Sequence, residues 1–296
     1  MYSFPISYNE PLFRPPSEGR SLIIQVTYGC SWNKCAFCEM YSSKQFKARK
    51  LEDVFGDITA FLPYQSSIRR VFLADGDPMV LSTSKLLNIL SKLKETFPKL
   101  NRVSTYASPT NLNNKSELEL RELKDAGLSL IYLGIESGDN QVLKLMNKGE
   151  TFKSIVEALN KSKMAGLNSS VMIINGLGGK AYSSQHAIES AKILNETQPK
   201  YASTLVLNTY KGLNYFLERL LQPFTVLNKR ELLEEMRLFL ETLDLKETIF
   251  RSDHASNYLA LKGVLGRDKQ QFLHQINQIL EFEDYSKLRA ESQRGF

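Results

Sequence analysis

Residues 29–41 read GCSWNKCAFCEMY and contain every cysteine of the 296-residue chain, namely Cys30, Cys35 and Cys38. An odd number leaves one thiol outside any disulfide, and three thiols packed into one short loop favour metal ligation. Structural zinc is one alternative, but it normally takes a fourth Cys or His, and the three histidines all lie beyond residue 185. Burial as small apolar residues is another. Three thiolates on a four-iron cluster leave one iron open to a further ligand.

Downstream of this loop, short apolar runs alternate with helical patterns. Several runs lack a period of two, which is typical of parallel strands covered on both faces. Ser116 with Glu119 predicts a capping box, and the helix before it carries an apolar stripe. Repeated right-handed βαβ connections therefore predict an α/β fold, a partial (β/α)6 barrel. The predicted strands are Leu22–Thr27, Arg70–Ala74, Arg102–Ala107, Leu128–Ile135, Ser169–Asn175 and Ala202–Leu207.

Polar segments follow these strands at their carboxyl ends, where α/β folds bind ligands. They are the cysteine loop, Asp75–Pro78, Ser108–Asn111 and Glu136–Gly138. Nothing in the strand assignment required this coincidence. The sequence therefore predicts a ligand site at this end of the sheet.

The cysteine segment resembles the cluster motif of the radical S-adenosylmethionine (SAM) superfamily. Four residues separate the first two cysteines, where most members have three. The resemblance implies a [4Fe–4S] cluster on Cys30, Cys35 and Cys38, with SAM on the open iron. It further implies reductive cleavage of SAM to a 5′-deoxyadenosyl radical that takes a hydrogen atom from a substrate. Phe37 is placed near the SAM adenine by the same resemblance, with plain loop packing as the alternative.

Further SAM contacts follow from the same resemblance. The turn Asp75-Gly76-Asp77-Pro78 is similar to the family's GGEP-type turn, in which a glycine admits SAM and backbone or acidic groups bind its ammonium; a simple Asp-Gly turn is the alternative. The stretch GIESG followed by NKG is similar to the subgroup with oxygen-independent haem and tRNA-modifying enzymes, and it assigns Glu136 to the ribose hydroxyls. Ser108 and Asn111 are candidate polar contacts, with helix capping as the alternative.

The segment IINGLGG, from Ile173 to Gly179, resembles the fifth-strand motif whose backbone lies along the adenine. Ile173 and Gly176 are accordingly assigned to the cofactor. The resemblance covers about residues 20–210, and its motifs occur in family order.

A polar and aromatic cluster occupies the tail: Arg251, Asp253, His254, Asn257 and Tyr258. Together these side chains offer donors and acceptors to a polar ligand, so they are the candidate substrate residues, with the first three as candidate catalytic residues. A hydrogen-bonded structural histidine is the alternative for His254.

We predict three segments: an N-terminal lead-in (1–19), the partial barrel (20–243) and a helical C-terminal extension (244–296) that contributes to the substrate site. Within the lead-in, Phe13–Glu18 is predicted to be extended and stiffened by two prolines, and closure of the barrel's far side is the alternative.

The amino-acid composition argues against several classes of function. The net charge of +6 is mild, and eight basic residues balance eight acidic ones after Leu243, so nucleic-acid binding is not indicated. No apolar run is long enough for a membrane span, and no signal peptide is apparent, so we expect a cytoplasmic protein. We expect a small-molecule substrate and an external electron donor such as flavodoxin or ferredoxin. Modification of tRNA or peptide, and SAM binding without catalysis, are the alternatives.

The wider pattern, from RPPSEGRSLIIQVTYGCS through FLADGDP to FRSDHASNY, resembles a compact group of anaerobe-type radical SAM proteins. For this group the resemblance implies a lyase that acts on a 7-deazapurine base. The implied reaction is C–N cleavage of queuine to 7-aminomethyl-7-deazaguanine in queuosine salvage.

Overall fold

The computed structural model describes Pro5–Gly295, and the chain forms two compact units. The first unit contains the chain up to Asn33, Cys38–Leu133 and Asn160–Ser169; the second contains Lys34–Phe37, Gly134–Leu159 and the chain from Ser170. The predicted division at residues 19 and 243 stays a prediction.

The first unit has a parallel sheet. Its strands are β1 (Leu22–Gln25), β2 (Thr27–Tyr28), β3 (Lys47–Ala48), β4 (Arg70–Ala74), β5 (Arg102–Tyr106) and β6 (Leu128–Glu136), the last three residues of which belong to the second unit. β1, β4, β5 and β6 pair in that order, all parallel, while β2 pairs antiparallel with β3. The helices are α1 (Leu51–Ala60), α2 (Thr83–Thr96), α3 (Pro109–Asn113) and α4 (Glu117–Asp125).

Local sequence patterns explain two of these helices, α2 and α4. In α2 the side chains of Leu86, Leu90 and Leu93 form a buried stripe at helical spacing, as predicted. At the start of α4, the Ser116 side chain accepts from the Glu119 amide and the Glu119 carboxylate accepts from the Ser116 amide, so the predicted capping box is confirmed.

The second unit also alternates helices and strands. Its elements are α5 (Asn140–Leu145), α6 (Phe152–Met164), β7 (Asn168–Asn175), α7 (Gly179–Thr197), β8 (Tyr201–Val206), α8 (Leu213–Leu217), α9 (Lys229–Thr242), β9 (Ile249–Ser252), β10 (Leu261–Val264) and α10 (Leu265–Phe282). The end of α6 and the first two residues of β7 belong to the first unit. β7, β8 and β9 are parallel neighbours, and β10 is antiparallel to β9. None of the described helices combines the length and apolarity needed to cross a bilayer.

All six predicted strands are present, with ends within two residues of the predicted ones, and the α/β class is confirmed. The tail differs from its prediction because it contains strands β9 and β10 as well as helix α10. Each of these strands has four residues, which is too short to show a clear period.

The lead-in is not wholly extended. Pro16–Glu18 forms a 3-10 turn, and Glu18 is buried, so the extended prediction is wrong at these residues. The Glu18 carboxylate accepts from Arg102 and from the Tyr132 hydroxyl, each at 2.7 Å, and also from Ser21. The two prolines set the turn that places this carboxylate over the start of β5.

We expect Glu18→Ala to lower the free energy of unfolding by roughly 2–3 kcal/mol, because it leaves the Arg102 guanidinium and the Tyr132 hydroxyl without their buried acceptor. Chemical denaturation measures the difference. Glu117→Ala, which breaks the exposed pair with Arg121, is the matched control and is expected to cost less than about 1 kcal/mol. Equal effects of the two substitutions would contradict a structural role for Glu18.

Candidate functional site

None of the three cysteines is in a disulfide, and each is partly exposed. Among the described residues no group of three or more His, Cys, Asp or Glu side chains is arranged around a single ion position. The chain therefore provides three thiols at the predicted spacing.

Asp75 anchors the residue before Cys30. Its carboxylate is fully buried and accepts from the Lys44 ammonium at 2.8 Å and from the Gly29 amide at 3.2 Å. Burial raises the pKa of Asp75, while the hydrogen bond and charge of Lys44 lower it. One carboxylate oxygen thus accepts from both partners, so the side chain of Asp75 fixes the cysteine loop to the end of β4.

Gly76 is required by close packing. A Cβ there would lie 2.8 Å from Cε2 of Tyr41 and 2.9 Å from Cβ of Cys30, both too short for real contacts. The Gly76 amide also donates to the Gly29 carbonyl at 3.0 Å. The turn predicted for SAM is therefore also the surface on which the first cysteine rests.

Asp77 is a hydrogen-bond centre at the carboxyl end of the first unit's sheet. Its buried carboxylate accepts from the Ser31 hydroxyl at 3.2 Å, from the Ser108 amide at 3.3 Å and from the Asn111 side chain. Burial raises its pKa and these donors lower it. Three loops, one of them holding Cys30, are thus tied to one carboxylate.

Ser108 itself caps α3, since its hydroxyl accepts from the Asn111 amide at 3.2 Å. The capping alternative is therefore confirmed for Ser108. The Asn111 side chain is directed to Asp77 rather than to a cap.

In the second unit, the stretch around Asn147 holds the middle of the cysteine loop. The Ala36 amide donates to the Met146 carbonyl at 2.8 Å, and Asn147 donates to the carbonyl of the residue before Cys35 at 3.3 Å. Arg219, from the segment after α8, donates to the Cys35 carbonyl at 2.9 Å. The Asn147 side chain of the NKG motif therefore positions a predicted cluster ligand.

Glu136 ends β6 in the left-handed region, with φ of 66°. A bulky residue adopts this conformation only where the surroundings impose it, and such strain clusters at ligand sites. Its side chain folds back over Gly134, where a Cβ would lie 1.9 Å from Oε1. The carboxylate of Glu136 can therefore occupy this position because residue 134 has no side chain.

The two oxygens of Glu136 differ. Oε1 accepts from Lys148 at 3.3 Å, whereas Oε2 is buried and has no hydrogen-bond partner among the described residues. Burial raises the pKa of Glu136, and Lys148 lowers it. The Lys148 ammonium also lies 6.0 Å from the ring centre of Phe37. A buried oxygen without a donor costs free energy, and two hydroxyl groups of a ligand are suitable donors.

A second buried carboxylate, Glu235 of α9, holds the end of β7. It accepts from the Asn175 side chain at 2.7 Å, from the Gly176 amide at 2.6 Å and from the Ser183 hydroxyl at 2.6 Å. Gly176 has φ of 88°, which favours glycine. The Ile173 side chain lines a small buried space with His186 and Glu235, so only its backbone remains for the predicted adenine contact.

The same network reaches the residue after Glu136. His186 lies 3.8 Å from Glu235, and its Nδ1 is 2.8 Å from the Ser137 hydroxyl. Buried polar atoms therefore connect the β6 and β7 ends within the second unit.

The tail residues mostly bond to one another. Asn257 is buried and donates to the Thr204 carbonyl at 2.7 Å and to the Ser252 hydroxyl at 3.1 Å. His254 accepts from the Ser256 amide at 3.1 Å. Asn257 thus fixes the loop after β9 to β8.

Two arginines near the C-terminus hold this loop from outside. Arg289 donates to the carbonyls of His254 and Asn257. Arg294 stacks on Tyr258, with its Cζ atom 4.0 Å from the ring centre. Burial and the charge of Arg289 lower the pKa of His254, while Asp253 raises it. The Tyr258 hydroxyl donates to Glu291, so Tyr258 faces the C-terminal segment.

Arg251 is the exposed member of the predicted substrate set, while Asp253, His254 and Tyr258 are half-buried. Phe250 packs against α10, with its ring 6.0 Å from that of Phe272, so Arg251 points to the opposite face and is exposed. Asp253 lies 3.8 Å from Lys262 of β10.

The residues fit a cluster and SAM by their chemistry. Three cysteines lie outside disulfides, and Glu136 presents a buried oxygen that has no donor in the described part of the chain. Of the residues that organise this site, Asp77, Asn111, Asn147 and Lys148 lie in motifs that are recognisable in the sequence. Arg219, Glu235 and Lys44 lie far from their partners along the chain and carry no local pattern.

The match to a family model covers residues 24–191, and its description is the radical SAM superfamily. The chain belongs to this superfamily, and its cofactors are a [4Fe–4S] cluster and SAM.

Curated relatives are distant. An uncharacterized methyltransferase of Pyrococcus horikoshii is 22% identical over 64% of this chain and 40% of its own length. A putative methylthiotransferase of Methanocaldococcus jannaschii is 26% identical over 51% of this chain and 34% of its own. The matches therefore span less than half of each relative.

Among solved structures, coproporphyrinogen III oxidase (HemN) from Escherichia coli, described as a radical SAM enzyme, superposes with a TM-score of 0.58 at 17% identity. The superposition covers 75% of this chain and 52% of that one. At this identity the likeness concerns the fold alone, and it confirms the partial barrel of radical SAM type.

We expect anaerobically reconstituted protein to carry about four irons per chain, and we expect Ala at positions 30, 35 and 38 together to abolish iron binding. Iron and sulfide analysis with the brown absorbance measures both. One zinc ion without sulfide would contradict the cluster assignment.

We expect Glu136→Ala to keep the iron content and to weaken SAM binding about tenfold or more, because a charge-assisted hydrogen bond is worth roughly 1.5–3 kcal/mol. Equilibrium dialysis of the reconstituted protein measures the dissociation constant. Glu189→Ala, in the exposed pair with Lys192, is the control. Unchanged affinity would make Glu136 a structural carboxylate.

We expect Asp77→Ala to weaken SAM binding as well, and in addition to make the cluster more labile, since Ser31 next to Cys30 loses its acceptor. The rate of iron release to a chelator distinguishes the two variants. Loss of affinity in Asp77→Ala without faster iron release would assign it to SAM alone.

Proposed function

We propose that the chain uses its cluster and SAM to start radical chemistry on a small polar organic substrate. When bound, the reduced cluster supplies the electron that cleaves SAM to a 5′-deoxyadenosyl radical. The observation that carries the proposal is the buried Oε2 of Glu136, which has no hydrogen-bond partner within Pro5–Gly295 and belongs to a residue in the left-handed conformation at a strand end.

The roles of the other residues follow from their contacts. Cys30, Cys35 and Cys38 would hold the cluster. Glu136 would accept the SAM ribose hydroxyls. Phe37 would pack near the adenine, with the Lys148 charge beside both Phe37 and Glu136.

The carboxyl end of β4 would bind the methionyl part of SAM. Because Asp75 and Asp77 already accept several donors each, their contribution is to keep the turn and its backbone in place. The backbone of Ile173 and Gly176 would lie along the adenine, where Glu235 fixes the Gly176 amide.

For the substrate we propose a free 7-deazapurine base, with queuine as the candidate and C–N cleavage as the reaction, which would make the enzyme a lyase of queuosine salvage. Support comes from the tail, where Arg251 is exposed and Asp253 is half-buried beside the ordered loop that contains His254, Asn257 and Tyr258. A guanidinium donates to carbonyl oxygens of such a base, and a carboxylate accepts from its amino groups. His254 and Asp253 are the candidate groups for proton transfer.

Modification of tRNA or peptide is a second candidate, because a similar protein of Chloroherpeton thalassium is named a tRNA-2-methylthio-N(6)-dimethylallyladenosine synthase. Since the tail is electrically balanced, the sequence favours the small molecule. We further propose a cytoplasmic location, which suits three reduced thiols.

We expect reduced enzyme with SAM and queuine to yield 7-aminomethyl-7-deazaguanine together with 5′-deoxyadenosine, both measured by liquid chromatography with mass spectrometry. Arg251→Ala should raise the KM for queuine about tenfold or more through loss of a directed hydrogen bond, and slow SAM cleavage without queuine should persist. Arg267→Ala, an exposed arginine of α10, is the control.

Two outcomes distinguish a failure of the proposed radical chemistry from a failure of the proposed substrate. Absence of 5′-deoxyadenosine with any reductant would contradict the radical SAM chemistry itself. SAM cleavage that queuine neither accelerates nor redirects would reject only the substrate.

A further inference from the structure

The segment 208–227, between β8 and α9, lies directly over the part of the cysteine loop in the second unit. Arg219 donates to the Cys35 carbonyl, and Phe216 is buried in an apolar cluster with Ala36, Val142 and Met146. Phe216 also packs edge-on against Phe224, with ring centres 5.2 Å apart. The segment is therefore a packed cover whose inner side contacts a predicted cluster ligand.

This segment also carries exposed apolar side chains. Tyr210 is 59% exposed, Leu213 is 40% exposed, Leu221 is 99% exposed and Val226 is 41% exposed. A single exposed apolar side chain needs no explanation, but four on one short segment that contacts the cysteine loop indicate an interaction surface.

Positive charge accompanies these apolar side chains. The Lys211 ammonium lies 4.9 Å from the ring centre of Tyr215, and the Arg219 guanidinium lies 5.4 Å from the same ring. Exposed Lys34 precedes Cys35 in the loop beneath. Glu218 is the one acidic residue of 34–37 and 208–227. Arginine and tyrosine with surrounding apolar residues are the composition that protein interfaces favour.

We propose that Lys34, Tyr210, Lys211, Leu213 and Leu221 form a docking surface for the acidic protein that delivers the electron. The inference rests on the proposed function, in which one electron enters the cluster and the carrier is oxidised by one electron. Complementary charge speeds encounters between proteins, and the interfaces of electron carriers are small and short-lived. The contact between Arg219 and the Cys35 carbonyl places this surface beside a ligand of the group to be reduced.

The positive charge of this docking surface determines which kind of partner protein suits it. A second copy of this chain would bring its own lysines to the same place, and a cationic surface repels them. An acidic electron carrier such as flavodoxin would instead meet the lysines with carboxylates.

The test compares two reductants on the reconstituted enzyme with SAM. The double variant Lys211→Glu with Leu221→Asp should raise the KM for reduced flavodoxin about tenfold or more, and the rate of SAM cleavage with dithionite should stay unchanged. Binding of flavodoxin to the enzyme, measured by titration calorimetry, should weaken by a similar factor. Affinity of the unmodified enzyme should fall with added salt, since exposed charges are screened.

Leu118→Asp, at an exposed leucine of α4, is the matched control and should change neither reductant's rate. If the double variant slows the dithionite reaction too, the single variant Lys211→Glu replaces it in the test. A charge reversal at an exposed lysine leaves the apolar packing of the segment intact. Unchanged flavodoxin affinity and KM in that variant would overturn the proposal. A variant that alters binding of tRNA or peptide instead would assign the surface to a macromolecular substrate. Failure of SAM cleavage with dithionite in the unmodified enzyme would concern the proposed function and not the surface.

Discussion

The structure depends on burying carboxylates at the ends of strands. A buried carboxylate is costly unless donors surround it, and each of these side chains collects donors from loops that would otherwise be independent. Asp75 and Asp77 tie the Cys30 side of the cysteine loop to β4 and α3, and Glu235 ties the end of β7 to α7 and α9. Glu136 differs from these carboxylates because it accepts only one hydrogen bond among the described residues, from Lys148. Oδ1 of Asp75 also has no partner there, but Oδ2 of Asp75 accepts from both Lys44 and Gly29.

This difference distinguishes the carboxylates that hold the loops in place from the carboxylate that is available to a ligand. Carboxylates that already accept two or three bonds maintain geometry, whereas the Glu136 carboxylate accepts a single bond and gains most from a bound hydroxyl. The sequence places Asp75, Asp77 and Glu136 at equivalent strand ends and treats them alike. Only the contacts distinguish them, since donors such as Lys44, Asn111 and Lys148 are chosen by the folded chain.

The parts predicted from sequence are those with local signals. Strand periodicity, the Ser116 capping box and the cysteine spacing all depend on residues within one short window. What could not be predicted depends on contacts between distant residues, such as Arg219 with Cys35 and Asn257 with Thr204. The tail illustrates this limit: the pattern predicts substrate residues at His254, Asn257 and Tyr258, but it does not show the contacts with Arg289 and Thr204 that hold their loop in place.

Gly134 and Glu136 have a consequence for how related chains should be compared. Because the Glu136 carboxylate occupies the space that a Cβ at position 134 would need, neither residue varies freely without the other. The two positions are therefore sterically coupled. In a chain with alanine at the first position, a carboxylate at the second would have to take another rotamer, so an acidic residue aligned there would not by itself identify the same site.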